Sequence, residues 1–193
     1  MTSRERVLLA IDHKPTDRAP ADYEAHQEVT DRLMRKIGVT EMEELLNYLH
    51  VDMRCTGILH NQADNAVDAE GYTRTMWGAR SRKNNPGDSR PDCILPFNEE
   101  TTIDDVLQHP WPDANKIDYS KVKDECRKYY GTYAIYGSPW CPFFHEAGSL
   151  IGQENFFVWM HTKPDVVHAI IDKFVDYEVE VTRLFLQAAD GMI

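Results

Sequence analysis

The amino-acid sequence predicts an α/β fold, and within that class the front part of a larger α/β barrel. Segments 51–58, 132–136 and 190–193 mix β-branched and apolar residues and are typical of buried strands. Helical segments separate them, which implies βαβ units and a parallel sheet whose strands need neighbours on both sides. Because the third strand begins only at residue 190, we expect the sheet to continue, and residues 1–193 to be the N-terminal part of a single, truncated domain.

Three short helices are predicted within the first fifty residues. Thr2 and Glu5 have the spacing of a capping box at the start of the first helix. The second helix has apolar residues four apart, and Gly38 stands where a left-handed C-terminal cap would be. Thr40 and Glu43 predict another capping box for the third helix.

The middle of the chain is predicted to combine a hairpin with short helices. Segment 71–82 alternates polar and bulky residues, as a hairpin or an edge strand does. A turn-rich loop follows at 84–88, and then a short extended piece at 93–97. Short helices are expected at 102–107 and 120–130.

The second half is predicted to be mainly helical after the strand at 132–136. An abrupt turn at 137–140 closes that strand, and a helix led by Pro139 should run as far as residue 152. Another helix is expected at 154–161. The longest, at 164–188, has one apolar face over several turns, which predicts that this face is buried.

Composition argues against several classes of function. The 32 acidic and 21 basic side chains give a formal charge of −11, which repels a phosphate backbone, so we expect no nucleic-acid partner. Apolar runs fall far short of the roughly 20 residues that cross a bilayer, and Arg4, Glu5 and Arg6 interrupt any secretory signal. The sequence therefore predicts a cytoplasmic protein with reduced, scattered thiols at Cys55, Cys93, Cys126 and Cys141.

Motifs along essentially the whole chain resemble the uroporphyrinogen decarboxylase superfamily. They occur in that family's order: the opening segment 2–20, Val51-Asp52-Met53, the hairpin at 70–78, the connector at 102–113, Gly137-Ser138-Pro139-Trp140, and the final segment 189–193. The resemblance implies a partial (β/α)8 TIM barrel, with roughly the first three strands, N-terminal helices and a hairpin insertion. It also implies a site at the carboxyl ends of the strands.

The resemblance implies an enzyme acting on a tetrapyrrole, by one of two chemistries. One is methyl transfer to or from a corrinoid, with a corrinoid protein as partner and zinc activating a thiol in one branch. The other is decarboxylation of uroporphyrinogen III to coproporphyrinogen III in haem biosynthesis. The family's zinc ligands would follow Ile193, so no cofactor is expected within this segment. A catalytically inactive fragment is a third alternative, and a homodimer is possible.

Four residues correspond to catalytic or substrate-facing positions of the family. Asp52 matches the aspartate that binds the pyrrole N–H groups, where a carboxylate stabilises developing positive charge. Capping of a neighbouring helix is the alternative role. His145 falls at the position of a tyrosine that lines the site, and could transfer a proton. The alternative is a surface histidine. Ser138 and Trp140 would shape the tetrapyrrole side.

The N-terminal arginines are the main departure from the decarboxylases. Those enzymes grip the substrate carboxylates with an arginine-rich signature, whereas segment 21–27 here has no arginine and two additional acids. Arg18 and Arg54 remain as candidate substrate-binding residues, although Arg18 belongs to a connector found across the superfamily and could equally be structural. Methyl transfer is therefore the favoured prediction.

Overall fold

A computed structural model describes residues 1–57, 67–82, 92–137 and 143–193. The chain divides into two compact units. The first unit comprises Met1–Gly57, Ser120–Ser138 and Leu186–Ile193; the second comprises Ile58–Tyr119 and Pro139–Phe185. That the whole chain belongs to a single domain stays a prediction.

A two-stranded parallel sheet forms the centre of the first unit. Its strands pair in register from Met53 opposite Ala134 to Thr56 opposite Gly137. This pairing confirms the prediction that segments far apart in sequence form a parallel sheet. The elements of the unit are α1 (Ser3–Ile11), α2 (Gln27–Ile37), α3 (Met42–Tyr48), β1 (Met53–Thr56), α5 (Val122–Tyr129) and β5 (Ala134–Gly137).

Local hydrogen bonds explain where the first two helices begin and end. The Thr2 hydroxyl accepts from the Glu5 N–H at 3.1 Å, and the Glu5 carboxylate accepts from the Thr2 N–H at 2.8 Å, which confirms the capping box. Gly38 ends α2 at a φ of 84°, a left-handed conformation in which glycine avoids a steric cost.

The start of α3 differs from the prediction by one residue. Glu44, rather than Glu43, reaches back, and its carboxylate accepts from the N–H groups of Glu41 and Thr40 at 3.2 and 3.0 Å. Glu41 is therefore the N-cap in place of Thr40. The Glu43 side chain takes no part in the cap and instead pairs with Arg54 of β1.

In its described residues, the second unit contains a three-stranded antiparallel sheet, four α-helices and a short 3-10 helix at Ala114–Lys116. Strand β3 pairs with both β2 and β4, which confirms the predicted hairpin; the loop at 84–88 lies outside the described residues. The elements are β2 (Thr73–Arg74), β3 (Arg80–Arg82), β4 (Asp92–Ile94), α4 (Ile103–Gln108), α6 (Phe143–Ile151), α7 (Gln153–Thr162) and α8 (Pro164–Ala189), the last of which belongs to this unit as far as Phe185.

Aromatic side chains fill the core of the second unit. Trp77 lies edge-on to Phe174 and Tyr177, with ring centroids 4.5 and 5.1 Å apart. Both partners belong to α8, whose predicted apolar face is buried in this core. Helix α8 therefore packs by the face that its periodicity predicts.

The expected third strand is absent from the end of the chain, where the described residues 190–193 form a turn. Asp190 and Gly191 both have left-handed φ values, 54° and 75°, which a strand does not adopt. Their turn is closed by hydrogen bonds from Asp190 N–H to the Gln187 carbonyl and from Met192 N–H to the Ala189 carbonyl. The described residues thus form a mixed α/β fold with a small parallel sheet, and a barrel stays a prediction.

Candidate functional site

Asp52 is fully buried and its carboxylate is surrounded by N–H donors. Its Oδ1 accepts from Arg6 Nη1 at 2.5 Å and from Arg18 Nη2 at 2.9 Å. Its Oδ2 accepts from Arg18 Nη1 at 2.6 Å and from the Ala21 N–H at 2.8 Å. The Asp52 N–H in turn donates to the Ala21 carbonyl at 2.8 Å. The residue therefore fixes the connector before α2 against the start of β1.

Arg6 extends this cluster to a second carboxylate. Its Nε and Nη2 donate to the two oxygens of Asp17 at 2.6 and 2.8 Å, in the bidentate geometry that guanidinium groups favour. We call Arg6, Asp17, Arg18 and Asp52 the Asp52 clamp. It joins α1, the connector and β1, three segments that come together only in the folded unit.

The clamp keeps its acids ionised at neutral pH. Burial raises the pKa of Asp52, but the hydrogen bonds from Arg18, Ala21, Ser3 and Arg6 outweigh it, so that the pKa lies below its ordinary value. The hydrogen bond from Arg6 lowers the pKa of Asp17 to about 2. The catalytic role expected for Asp52 stays a prediction, and the structure gives the same carboxylate a structural role.

Arg54 is buried in a separate network on the opposite side of β1 from Cys55. Its guanidinium donates to both oxygens of Glu43, at 2.9 Å from Nε and 2.8 Å from Nη2, and to Asn47 at 2.9 Å. Its centre lies 3.7 Å from the centroid of the Tyr133 ring. With 2 % of its surface exposed and its donors engaged, Arg54 has no free donor fork for a substrate carboxylate in this structure.

A cleft of about 360 Å³ in the first unit is lined in part by this network, through Arg54 and Glu43. We call it the acidic cleft, and its lining includes Asp22, Glu24, Cys55 and Tyr136. Burial, followed by the charge of Asp22, raises the pKa of Tyr136 to about 12, and Glu24 adds to the shift. Burial likewise raises the pKa of the Cys55 thiol, to which Asp22 contributes. Both side chains are therefore neutral at physiological pH, beside two carboxylates.

The remaining predicted residues lie elsewhere. His145 is exposed on α6 in the second unit, next to Glu146, whose pKa burial raises. Ser138 and Trp140 lie outside the described residues. Of the six predicted site residues, the structure brings Asp52 and Arg18 into contact, and it places Arg54 in a different network of the same unit. The roles predicted for all six stay predictions.

Sequence reasoning missed Arg6, which completes the Asp52 clamp. It lies within α1 and is 7 % exposed, although an arginine in an exposed helix is ordinarily solvated. The available signal was its position directly before Val7, the buried apolar residue of the same short helix. Its partner Asp52 is forty-six positions away, beyond the reach of local patterns.

Among the described residues, no group of three or more histidine, cysteine, aspartate or glutamate side chains could hold a metal ion. Across the described ranges, no helix has the length and apolarity that a membrane span requires.

Comparison with known proteins gives one structural likeness. No protein-family model matches the sequence, and no curated protein matches it. A solved structure of a methyltransferase from Methanosarcina mazei is similar to this chain, with a TM-score of 0.49 and 15 % sequence identity. The similarity covers 100 % of this chain and 56 % of the methyltransferase, so the chain spans little more than half of that protein's length.

Proposed function

We propose that the chain is the N-terminal part of a uroporphyrinogen decarboxylase-like (β/α)8 barrel enzyme that transfers a methyl group to or from a corrinoid. The order of the sequence motifs supports the family. The parallel pairing of β1 with β5, with the antiparallel hairpin between them in sequence, is consistent with the start of such a barrel. Within this proposal Asp52, His145, Ser138 and Trp140 are the candidate residues on the tetrapyrrole side.

The observation that carries methyl transfer over decarboxylation is the charge of the acidic cleft. Decarboxylases of the family carry substrate-gripping arginines where this chain has segment 21–27. Here that segment contributes Asp22 and Glu24 to the cleft, and the charge of both reaches the Tyr136 phenol. A porphyrinogen with eight carboxylates would be repelled at this surface, whereas a corrinoid substituted with amides would not.

Three buried or paired arginines of the first unit support the same conclusion. Arg54, which lines the cleft, is neutralised by Glu43; Arg18 pairs with Asp52, and Arg6 pairs with both Asp52 and Asp17. Releasing any of them to a substrate would leave a carboxylate without its partner, at a cost that opposes binding. These three arginines are therefore not readily released to the carboxylates of a substrate.

The direct test uses the complete gene product. It is incubated with methylcob(III)alamin and a thiol under anaerobic conditions, and demethylation is followed by visible absorbance. A parallel reaction contains uroporphyrinogen III, and its products are separated by chromatography. Thiol-dependent demethylation without coproporphyrinogen supports the proposal. Formation of coproporphyrinogen would contradict the proposal and favour uroporphyrinogen decarboxylation. Inactivity in both reactions would favour the alternative of a catalytically inactive protein.

A binding experiment tests the electrostatic argument itself. Uroporphyrin, a stable fluorescent polycarboxylate, is titrated into the unmodified chain, an Asp22→Asn/Glu24→Gln double variant and a Glu28→Gln control. Glu28 is exposed on α2 and is not part of the cleft lining. Neutralising the cleft should strengthen uroporphyrin binding by about two- to tenfold, whereas the control should change it little. Equal effects of the two variants would contradict a local role of the cleft.

A further inference from the structure

A second cleft, of about 360 Å³, lies wholly within the second unit. We call it the Trp111 cleft, and its lining includes Arg74, Trp111, Lys116 and Tyr177. Its volume falls in the range of small-molecule sites, which combine apolar walls with a few polar groups that fix orientation. The two aromatic residues supply such walls, and the two cations supply the polar groups.

The aromatic walls are held in place by the core beneath them. The Trp111 indole N–H donates to the Val106 carbonyl at 2.7 Å, and its ring lies edge-on to Phe174 with centroids 5.7 Å apart. Tyr177 is 7 % exposed and packs against Trp77. Neither ring has to be reorganised to receive a ligand, and such preorganisation favours binding.

Arg74 is the uncompensated charge of this cleft. It stands opposite Arg80 in the ladder of β2 and β3, an arrangement that places two like charges side by side. Arg80 is neutralised by ion pairs with Asp68 and Glu70, at 2.5 and 2.9 Å. Arg74, in contrast, has no ion pair or hydrogen bond with any residue in the described part of the chain.

The other charged groups of the lining do not neutralise Arg74. Asp113 is the acid among the described lining residues, and its carboxylate accepts from the Asn115 N–H at 2.9 Å and interacts with the charge of Lys116. Lys116 is thus partly balanced, whereas Arg74 is not. The lining carries two cations and one acid, so its net positive charge favours an anion.

We propose that the Trp111 cleft binds a small organic anion with a flat apolar body, such as an aromatic carboxylate. The body lies against Trp111 and Tyr177, and the carboxylate accepts two N–H bonds from the Arg74 guanidinium, with Lys116 adding attraction. This pairing uses the planar fork of arginine, which matches a carboxylate. The inference goes beyond the proposed methyl transfer, since it concerns residues to which that proposal gives no role.

The experiment compares a charged probe with its neutral isostere. Binding of 2-naphthoate and of 2-naphthamide to the chain is measured by titration calorimetry at low salt. The carboxylate should bind with a dissociation constant of about 1 mM or tighter, and the amide about tenfold more weakly. Absence of naphthoate binding, or equal binding of the two probes, would overturn the proposal.

Variants then locate the binding. Arg74→Gln should weaken naphthoate binding about tenfold, whereas Arg74→Lys, which keeps the charge but not the fork, should give an intermediate loss. The matched control is Arg35→Gln, which removes an exposed arginine from α2 in the first unit. An equal loss in the Arg35 variant would refute the assignment, as would unchanged binding in Arg74→Gln. Thermal melts of each variant ensure that folded proteins are compared, and neither outcome depends on methyltransferase activity.

Discussion

Replacing Asp52 with asparagine removes the charge that two guanidinium groups share, at almost unchanged side-chain volume. Asp52 is 0 % exposed, and breaking a buried ion pair by removing one partner costs about 3–5 kcal/mol. Two features reduce this cost: Arg6 keeps its bidentate pair with Asp17, and the Arg18 side chain is 40 % exposed and can be hydrated. We therefore expect Asp52→Asn to lower the free energy of unfolding by about 2–4 kcal/mol.

The assay is urea unfolding followed by far-UV circular dichroism, with thermal melts in parallel. For a chain of this size, the loss corresponds to a fall in Tm of about 5–15 °C. Asp12→Asn is the matched control, because Asp12 pairs with Lys14 where both side chains are exposed, and it should change stability by less than about 0.5 kcal/mol.

The same variant separates the two roles of Asp52. A stability within about 0.5 kcal/mol of the unmodified chain would refute the clamp as a stabilising structure. If activity were lost at full stability, the carboxylate would act in catalysis alone. A large loss of stability supports the structural role, and activity measured in the folded fraction then reports any chemical role.

Four further substitutions test the clamp and three other positions. The hydrogen bond from Arg6 lowers the pKa of Asp17 to about 2. The ionised Asp17 therefore stabilises the fold above about pH 4, and this stabilisation is lost as the pH falls toward 2. In Asp17→Asn the free energy of unfolding should fall less steeply over this pH range. Gly78→Ala should destabilise the chain by about 2–5 kcal/mol for two reasons: alanine disfavours the backbone φ of 97°, and the added Cβ would lie 2.8 Å from the His109 ring. At Gly38 the φ of 84° is similar, but an added Cβ would meet no atom within 4 Å, so Gly38→Ala should lower the free energy of unfolding by only about 1–2 kcal/mol. Equal melting temperatures of the Gly78 and Gly38 variants would contradict a contribution from the His109 contact. Arg54→Lys should lower the free energy of unfolding, measured in urea, by about 2–3 kcal/mol, because lysine keeps the charge but cannot donate to both Glu43 oxygens as the guanidinium does. An unchanged urea midpoint would show that these two hydrogen bonds do not stabilise the fold.

Short-range chemistry made much of the fold predictable. The capping box of Thr2 and Glu5 and the glycine cap at Gly38 depend on neighbours within one turn, so their spacing in sequence is sufficient. The buried face of α8 follows from periodicity alone. The parallel pairing of β1 and β5 followed from the alternation of strands and helices.

Sequence-based prediction failed in two situations: where a segment is compatible with two local conformations, and where a side chain pairs with a residue far away in sequence. Asp190 and Gly191 are compatible with a strand, but both tolerate left-handed backbone, and a turn forms after α8. The partner of Asp52 could not be read from spacing, because Arg6 is brought to it only by the docking of α1. The Trp111 cleft likewise combines a hairpin, a connector and a helix, and no short motif contains all three.

The parallel pairing of β1 with β5 has a consequence for synthesis of the protein. Strand β1 ends at Thr56 and its partner begins at Ala134, so the ribosome needs on the order of 4 to 15 seconds to supply the missing strand after β1 has emerged. Throughout that interval the backbone groups of β1 that later bond to β5 lack their native partner. Nascent chains of this protein should therefore depend on a holding chaperone more than the isolated, completed chain does.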